Sequence, residues 1–295
     1  MNGVYLQLHA YLCCGLPFPI STLNARQMRM LAHIARQMGS GLWPFHHRQN
    51  IQFNWPALTD IPDILDALAS VEMHAIQTSG NCVRNVTTDH FARVAADEIA
   101  DPRVYAEILR QWSSLHPEFS FLPRKFKIAI TGANHDRAAI QVHDIGLQLQ
   151  RNAQGETGFA VHVGGGQGRT PMVARLLRDF PFRKRTARLC RSHPARLQFF
   201  HGRRDNKYKA RIKMLVHETG IDELRRDVER EFSIASWPAR PAATRYRCHR
   251  RPFSRLHHGR TCPISTIPMQ GRIRSWLKRN THQHKARGHA SSRSR

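Results

Sequence analysis

Residues 48–55 read RQNIQFNW, and the alternation in this stretch decides the fold of the first part of the chain. Successive side chains of a strand point to opposite faces, so Ile51, Phe53 and Trp55 are predicted to share one face of a half-buried strand. Residues 4–12 (VYLQLHAYL) alternate in the same way and predict an earlier strand.

Two helices and a third strand complete this first part. One helix is predicted from an N-cap at Ser21-Thr22 to about Gly39, and a second begins at Asp60 with Pro62 in its first turn. Residues 73–79 predict a strand. The resulting order, β-α-β-α-β, fits a compact ferredoxin-like α+β module.

The pattern changes after Gly80, where a second α+β unit is predicted. Its helices are predicted over residues 90–100, 103–115, 170–180, 205–218 and 221–232. Its strands are predicted over residues 125–131, 140–142, 146–149 and 159–163. The fold class is therefore α+β throughout.

Charge is unevenly spread along the chain. The 295 residues carry 46 Lys+Arg and 21 Asp+Glu, a net charge of +25. Residues 234–295 hold 15 of the cations and no acid, and residues 181–200 hold six and no acid. The remainder, with 25 basic and 21 acidic residues, is nearly neutral. The aperiodic basic tail predicts a solvated, disordered segment.

Cysteine usage and hydropathy bear on the location of the protein. The six cysteines form no Cys-X-X-Cys pair and no disulfide framework, which favours free thiols in a reducing compartment. There is no secretory-signal pattern at the N-terminus and no run of about 18 apolar residues. We therefore expect a cytoplasmic protein without membrane contact.

Four clusters of cations with polar or glycine residues lie in the near-neutral part. They are Arg48 to Asn50, Gly80 to Asn85, Arg124 to Lys127, and Arg203 to Lys213. In the third, the strand period puts Lys125 and Lys127 on one face, about 7 Å apart, with Phe126 on the other. Like charges at this distance repel, which favours an anion between them. A merely solvated strand face is the alternative.

The segment Gly164-Gly165-Gly166-Gln167-Gly168 follows a predicted strand and precedes a predicted helix. Main-chain amides in such a turn can bind phosphate or carboxylate. The segment lacks the Lys-Ser/Thr of a P-loop and the acidic ribose contact of a dinucleotide fingerprint. A glycine turn without a ligand is the slightly favoured alternative.

Together, these motifs resemble those of the siroheme-dependent sulfite and nitrite reductases. They stand in the family's order: Arg48 to Phe53, Thr78 to Val86, Leu122 to Lys127, Val163 to Gly166, and Gly202 to Lys213. The resemblance covers about residues 1–11, 22–41, 48–180 and 201–232. It implies a ferredoxin-like half-domain over residues 1–80 and a siroheme-binding α+β domain over residues 81–232, anomalous at 181–200. A disordered basic tail follows over residues 233–295.

The resemblance also implies a reaction and its residues. The family reduces sulfite to sulfide by six electrons, or reduces nitrite, at siroheme coupled to a [4Fe–4S] cluster. Arg84, Lys125 and Lys127 match three of the family's four anion-binding, catalytic side chains. The positions that match siroheme contacts are Arg48, Gln52, Asn81, Arg124 and Arg211. Siroheme is rich in carboxylates, which Arg and Lys bind by charge-assisted hydrogen bonds. The implied partners are a small anion, sulfite or nitrite, and an electron donor such as ferredoxin or a flavoprotein.

The sequence departs from the family pattern in several places. Residues 12–20 lack the arginine that would be the fourth anion-binding residue, and residues 42–47 and 181–200 lose the pattern. Shifts of the reading frame would produce such abrupt loss and recovery of the family pattern. A frame shift caused by sequencing error and one caused by gene decay would leave the same pattern in the sequence. The family's four cluster-binding cysteines are absent, so the resemblance implies no metal ligands and no activity in this truncated chain.

Two other interpretations stay open. A basic nucleic-acid-binding protein would use the Arg-rich tail for non-specific, salt-dependent binding of phosphates. The tail, however, shows no interleaved aromatic platform, no helix-turn-helix pattern and no zinc-finger spacing around Cys248-His249. A standalone ferredoxin-like binding module is the third interpretation, favoured if residues 1–80 fold alone.

Overall fold

A computed structural model gives the fold as two α+β units, in agreement with the predicted class. It describes residues 4–7, 11–17, 23–38, 45–46, 48–76, 80–114, 116–119, 121–179, 201–234, 281–283 and 290–292. The anomalous segment 181–200 and most of the basic tail lie outside these residues, and with them the prediction of a disordered tail.

The first unit is a four-stranded antiparallel sheet with two helices. Its strands are β1 (Val4–Gln7), β2 (Tyr11–Pro17), β3 (Phe45–His46) and β4 (Asn50–Asn54), in the order β1-β2-β4-β3. Its helices are α1 (Ala25–Gln37) and α2 (Ile61–Ala69). The single strand predicted over residues 4–12 is thus two paired strands, with Leu6 opposite Leu12.

The core of this unit follows the alternation of strand β4. Ile51 and Phe53 are buried, as predicted, and pack with apolar residues of both helices. These are Leu31 and Ile34 of α1 and Ile64 and Leu68 of α2. Trp55 does not join them: it is about half exposed and has a φ of 61°, so the strand has already ended.

Helix α1 begins later than the predicted N-cap at Ser21-Thr22. The Asn24 side chain accepts the Gln27 N–H at 2.8 Å, and the Gln27 side chain accepts the Asn24 N–H at 3.1 Å. This reciprocal capping box satisfies two N–H groups at the helix start. Of the third strand predicted over residues 73–79, residues 73–75 are not in a strand, Ile76 forms a β-bridge, and residues 77–79 lie outside the described part.

The second unit is a mixed five-stranded sheet. Its strands, β5 (Thr87–Thr88), β6 (Ile128–Thr131), β7 (Ile145–Arg151), β8 (Thr157–Val163) and β9 (Arg175–Arg178), lie side by side in chain order. The pairs β5–β6 and β6–β7 are parallel, and the pairs β7–β8 and β8–β9 are antiparallel. The helices are α3 (Pro102–Ser114), α4 (Ile212–Thr219) and α5 (Ile221–Ile234), and all three contribute to one apolar core with the sheet.

Two segments differ from the sequence prediction because side chains or strand pairing override helical periodicity. Residues 90–100 form successive turns, since the Asp89 carboxylate accepts the Phe91 N–H at 2.9 Å and Arg93 has a φ of 76°. Residues 170–179, in the helix predicted over 170–180, are not helical, because Arg175–Arg178 pairs with β8 as strand β9.

Three smaller differences concern the type of one element, a predicted strand over residues 140–142, and the first residues of two others. Ile140–Val142 is a 3₁₀ turn, since the Asp136 carboxylate accepts the N–H groups of Ile140 and Gln141 at 2.8 and 3.3 Å. Strand β6 begins at Ile128 instead of Lys125, and helix α4 begins at Ile212 instead of Asp205.

Within the tail, Thr281–Gln283 (β10) and Ala290–Ser292 (β11) pair antiparallel. Among the residues that the structure describes, no helix is long and apolar enough to cross a membrane.

Candidate functional site

The first two cation motifs, Arg48 to Asn50 and Gly80 to Asn85, join the two units of the fold through hydrogen bonds of residues 48–49 with residues 85 and 88. Arg48 Nη2 donates to the main-chain oxygen of Asn85 at 2.8 Å, and Asn85 Nδ2 donates to the main-chain oxygen of Arg48 at 2.8 Å. Next to this pair, Gln49 Nε2 donates to the Thr88 oxygen at 2.6 Å, and the Thr88 N–H donates to Gln49 Oε1 at 3.2 Å. Residues 48–49 are therefore fixed against residues 85–88.

The third cation motif, Arg124 to Lys127, lies beside the second, Gly80 to Asn85. Phe126 bridges Val83 in a short parallel pairing, with the Arg84 N–H donating to the Phe126 oxygen at 2.8 Å. The Phe126 side chain is buried, while Lys125 and Lys127 are partly exposed, which confirms the predicted division of faces. The pairing places Arg84 next to the two lysines.

Asp144, just before strand β7, connects the cation motif Arg124 to Lys127 with the cation motif Arg203 to Lys213. Its carboxylate is fully buried and accepts two hydrogen bonds from Arg211 Nη2, at 2.9 and 3.0 Å. The same carboxylate accepts the Lys127 main-chain N–H at 2.8 Å. The Asp144 main-chain oxygen accepts the Gly164 N–H at 3.1 Å, which adds the glycine-rich segment to the cluster.

The glycine-rich segment is a turn that accepts main-chain hydrogen bonds from the cations Arg211 and Lys213. Lys213 Nζ donates to the main-chain oxygens of Gln167 and Thr170, and Arg211 Nη1 donates to the Gln167 oxygen at 3.4 Å. The amides of Gly164 and Gly166 already donate to main-chain oxygens within the protein. This favours the interpretation of a structural turn over that of an anion site built from these two amides.

Mutual repulsion shows that the predicted cations lie close together. Burial and the neighbouring Arg84 lower the pKa of Arg48 to about 10. Burial, followed by Arg48 and Arg211, lowers the pKa of Lys127 to about 8. Burial, followed by Arg124 and Arg84, also lowers the pKa of Lys125. The six predicted site cations, Arg48, Arg84, Arg124, Lys125, Lys127 and Arg211, thus form one cluster.

The two predicted amide contacts, Gln52 and Asn81, are neutral and take no part in this mutual repulsion. Gln52 lies on strand β4 and donates to Asn54 Oδ1 at 2.6 Å. Asn81 is exposed, and its main-chain oxygen accepts the Leu122 N–H at 2.9 Å. Asn81 therefore helps to tie the second motif to the third.

Donors in the cluster are left for a ligand. Arg48 is only 8% exposed, and its Nη1 is buried without a hydrogen-bond partner among the described residues. Arg211 Nε is in the same situation. Arg48 and Lys127 line a cavity of about 510 Å³ that Arg137 and His143 also border. Buried N–H donors without hydrogen-bond partners suit an acidic ligand that supplies the missing acceptors.

Two residues of the site were missed by sequence reasoning. One is Asp144, and the other is His143, whose pKa is lowered to about 3 by burial and by Arg48, so its ring is neutral. The His143 Nδ1 lies 2.6 Å from the Ala139 oxygen, so this nitrogen carries the proton. A signal for both was present: a His-Asp pair directly before the buried apolar strand Ile145 to Leu149.

Within the described ranges, no group of three or more His, Cys, Asp or Glu side chains could hold a metal ion. Cys82 is buried, and burial raises the pKa of its thiol, which keeps it protonated.

Comparisons with known proteins agree with this geometry. Residues 79–235 match the profile of the nitrite and sulphite reductase 4Fe-4S domain, and residues 6–71 match that of the nitrite/sulfite reductase ferredoxin-like half domain. The first match spans more than half of the chain. The protein therefore belongs to the nitrite and sulfite reductase family.

Similar proteins include an assimilatory ferredoxin-dependent nitrite reductase of Haloferax mediterranei, 32% identical over 71% of this chain and 38% of the relative. A ferredoxin sulfite reductase of Mycolicibacterium paratuberculosis is 27% identical over 85% of this chain and 45% of the relative. The chain thus spans less than half the length of these curated relatives. These relatives give no support to the nucleic-acid-binding alternative.

The fold is similar to the solved structure of the Mycobacterium tuberculosis NirA protein. The TM-score is 0.72 at 23% sequence identity, over 79% of this chain and 45% of that protein. At this identity the likeness concerns the fold, which agrees with a ferredoxin-like half-domain followed by an α+β domain.

Proposed function

We propose that this chain is the part of a siroheme-dependent sulfite or nitrite reductase that binds the tetrapyrrole and the small anionic substrate. The observation that supports this most directly is Arg48, which has an unpartnered Nη1 and whose pKa is lowered to about 10 by burial and by the neighbouring Arg84. Burying several like charges together is unfavourable unless an anion compensates them. A ligand with several carboxylates would do so.

The donor set fits an acidic tetrapyrrole. Arg48, Arg124 and Arg211 would bind its carboxylates, and Gln52 and Asn81 would add neutral hydrogen bonds. The unpartnered Nη1 of Arg48 and Nε of Arg211 are the donors that such carboxylates would satisfy. When bound, siroheme would supply the iron at which electrons reach the substrate.

The anion site consists of Arg84, Lys125 and Lys127. Arg84 and Lys127 each follow a residue of the Val83–Phe126 bridge, and Arg84 lowers the pKa of Lys125, which supports the proposal that the three cations together would bind and orient sulfite or nitrite. With a pKa of about 8, the Lys127 ammonium holds a proton near neutral pH and can release it to an oxygen of the anion. Arg84 would bind an anion oxygen through its guanidinium.

The electron donor and the state of this chain are also proposals. The names of the two relatives support a ferredoxin as donor, and either sulfite or nitrite as the anion. Four closely grouped thiolates are needed for a [4Fe–4S] cluster, and these 295 residues contain no such quartet of cysteines. We therefore propose that this chain binds its ligands but does not complete the reduction by itself.

The division of the chain into domains is a further proposal. We propose a boundary near residue 80, since separate apolar cores lie before and after it. The free-thiol pattern of the cysteines supports a cytoplasmic location.

The proposed anion site is tested by calorimetric titration of the full chain with sulfite. The double variant Lys125→Met/Lys127→Met should lose at least tenfold in affinity. The control Arg29→Gln/Arg36→Gln removes two exposed cations from helix α1 and should bind like the wild type. Equal losses in both variants would mean that only the overall charge attracts the anion.

A further inference from the structure

Asp144 holds three of the sequence motifs together from a fully buried position. Its carboxylate binds Arg211 and the main-chain N–H of Lys127, and its main-chain oxygen binds the N–H of Gly164. These partners lie 67, 17 and 20 residues away in the chain. Three hydrogen bonds to the carboxylate occupy most of the roughly four lone-pair sites that an ionised group offers.

The two carboxylate contacts belong to different parts of the proposed site. Arg211 is a proposed cofactor contact, and its guanidinium also meets Gly166 and the Gln167 oxygen. Lys127 is a proposed anion contact, and strand β6 begins directly after it. A shift of the Asp144 carboxylate would therefore move both the guanidinium and the main chain that carries the ammonium group.

The charge of Asp144 also opposes the repulsion within the cluster. Lys127 faces the cations Arg48, Lys125 and Arg211, and among its neighbours Asp144 is the group that raises its pKa. Asp144 acts in the same direction on Arg48 and Lys125. Burial raises the pKa of Asp144 itself, and its hydrogen bonds with Arg211 and Lys127 oppose this effect.

We propose that Asp144 is a positioning residue that fixes Arg211 for the cofactor and Lys127 for the anion in one relative geometry. It does not touch either ligand and acts through these two cations. The inference rests on the proposed function, since it concerns how the same site is held in shape.

The test compares the full-length wild type with Asp144→Asn and with the matched control Asp101→Asn. Asp101 also forms a two-hydrogen-bond pair with an arginine, Arg103, at the start of helix α3 and away from the cluster. Sulfate affinity is measured by calorimetry from pH 6 to 9, and siroheme affinity by absorbance. Circular dichroism checks that each variant is folded.

We expect Asp144→Asn to weaken both affinities at least tenfold and to move the pH profile of sulfate binding to lower pH, because Lys127 loses its counter-charge. Asp101→Asn should leave both affinities within twofold and the profile unchanged. A purely structural ion pair would not shift the profile. Wild-type affinities with an unshifted profile in Asp144→Asn would overturn the inference and leave the proposed function intact.

Two further outcomes also test the proposal. If Asp144→Asn does not fold, the double variant Asp144→Asn/Arg211→Met is measured, since it removes both charges of the buried pair together. A tenfold loss of sulfate affinity in it supports the inference, because Lys125 and Lys127 are intact, and wild-type affinity overturns it. A wild-type chain that binds neither siroheme nor sulfate overturns the proposed function and this inference with it.

Discussion

Arg48 and Asn85 each donate a side-chain hydrogen bond to the other's main-chain oxygen, both at 2.8 Å. The pair lies where the first α+β unit meets the second, and both residues are buried. The position of the Arg48 guanidinium thus depends on a residue of the other unit.

Replacing Asn85 should therefore affect stability and binding together. Asn85→Ala removes a buried donor, leaves the Arg48 oxygen without its partner, and should cost about 1–3 kcal/mol in the free energy of unfolding. Siroheme affinity should fall about tenfold because the Arg48 main chain, whose oxygen accepts from Asn85 Nδ2, is no longer fixed, although the main-chain oxygen that accepts from the Arg48 guanidinium remains. The matched control, Asn152→Ala at the β7–β8 turn, also loses side-chain hydrogen bonds, with Glu156, but should keep full affinity. Equal affinities in the two variants would contradict the coupling.

The lowered pKa of Lys127 predicts a pH dependence of anion binding. The ammonium form is present below a pKa of about 8, so sulfate affinity should be constant up to pH 7 and fall as the pH rises through about 8. Sulfate is the suitable probe because its own charge does not change over this range. In Lys127→Arg the fall near pH 8 should be lost, since a guanidinium stays charged. Lys207→Arg, at an exposed lysine, should titrate like the wild type, and a Lys127→Arg profile identical to both would argue against Lys127.

His143 predicts a loss of stability in mild acid. Its pKa of about 3 in the folded chain lies below the usual 6.5, so the unfolded chain binds more protons between these values and stability falls as the pH decreases from 6.5. From pH 8 to pH 5 the loss is about 2 kcal/mol. His143→Asn keeps a donor for the Ala139 oxygen and should reduce this slope, as measured by denaturant unfolding. The exposed His33→Asn should retain it, and an unchanged slope in His143→Asn would contradict the assignment.

Gly166 predicts a steric requirement at the glycine turn. A Cβ atom there would lie 3.0 Å from both terminal nitrogens of Arg211 and from Lys213 Cδ. Gly166→Ala should therefore displace Arg211 and lower siroheme affinity about tenfold. The comparison variant is Gly155→Ala, where φ is +79° and the strain costs about 1–2 kcal/mol far from the cluster. If Gly155→Ala loses as much affinity, reduced stability and not Arg211 would be the cause.

Local sequence signals predicted much of the fold. The alternation around Ile51 and Phe53 placed both in the core, and the period of helix α3 was recognised within a residue of its ends. Where prediction failed, longer-range forces decided. Residues 175–178 carry a helical pattern but complete the sheet beside β8, and residues 90–100 follow the hydrogen bond of Asp89.

The candidate site shows the same division. Its cations were recognised from their motifs and their resemblance to a family, and the structure brings six of them into one cluster. Asp144 could not be assigned a role from the sequence, because its partners Lys127 and Arg211 are distant in the chain. The predictions for residues 181–200 and for most of the tail concern parts outside the described residues and stay predictions.

The central claim is that the cluster around Arg48 binds an acidic tetrapyrrole, and titration of the full chain with siroheme tests it most directly. Absorbance should show saturable binding of one siroheme per chain, at least tenfold weaker in Arg48→Met than in the control Arg29→Gln. No saturable binding by the wild type, or equal binding by Arg48→Met and Arg29→Gln, would contradict the account.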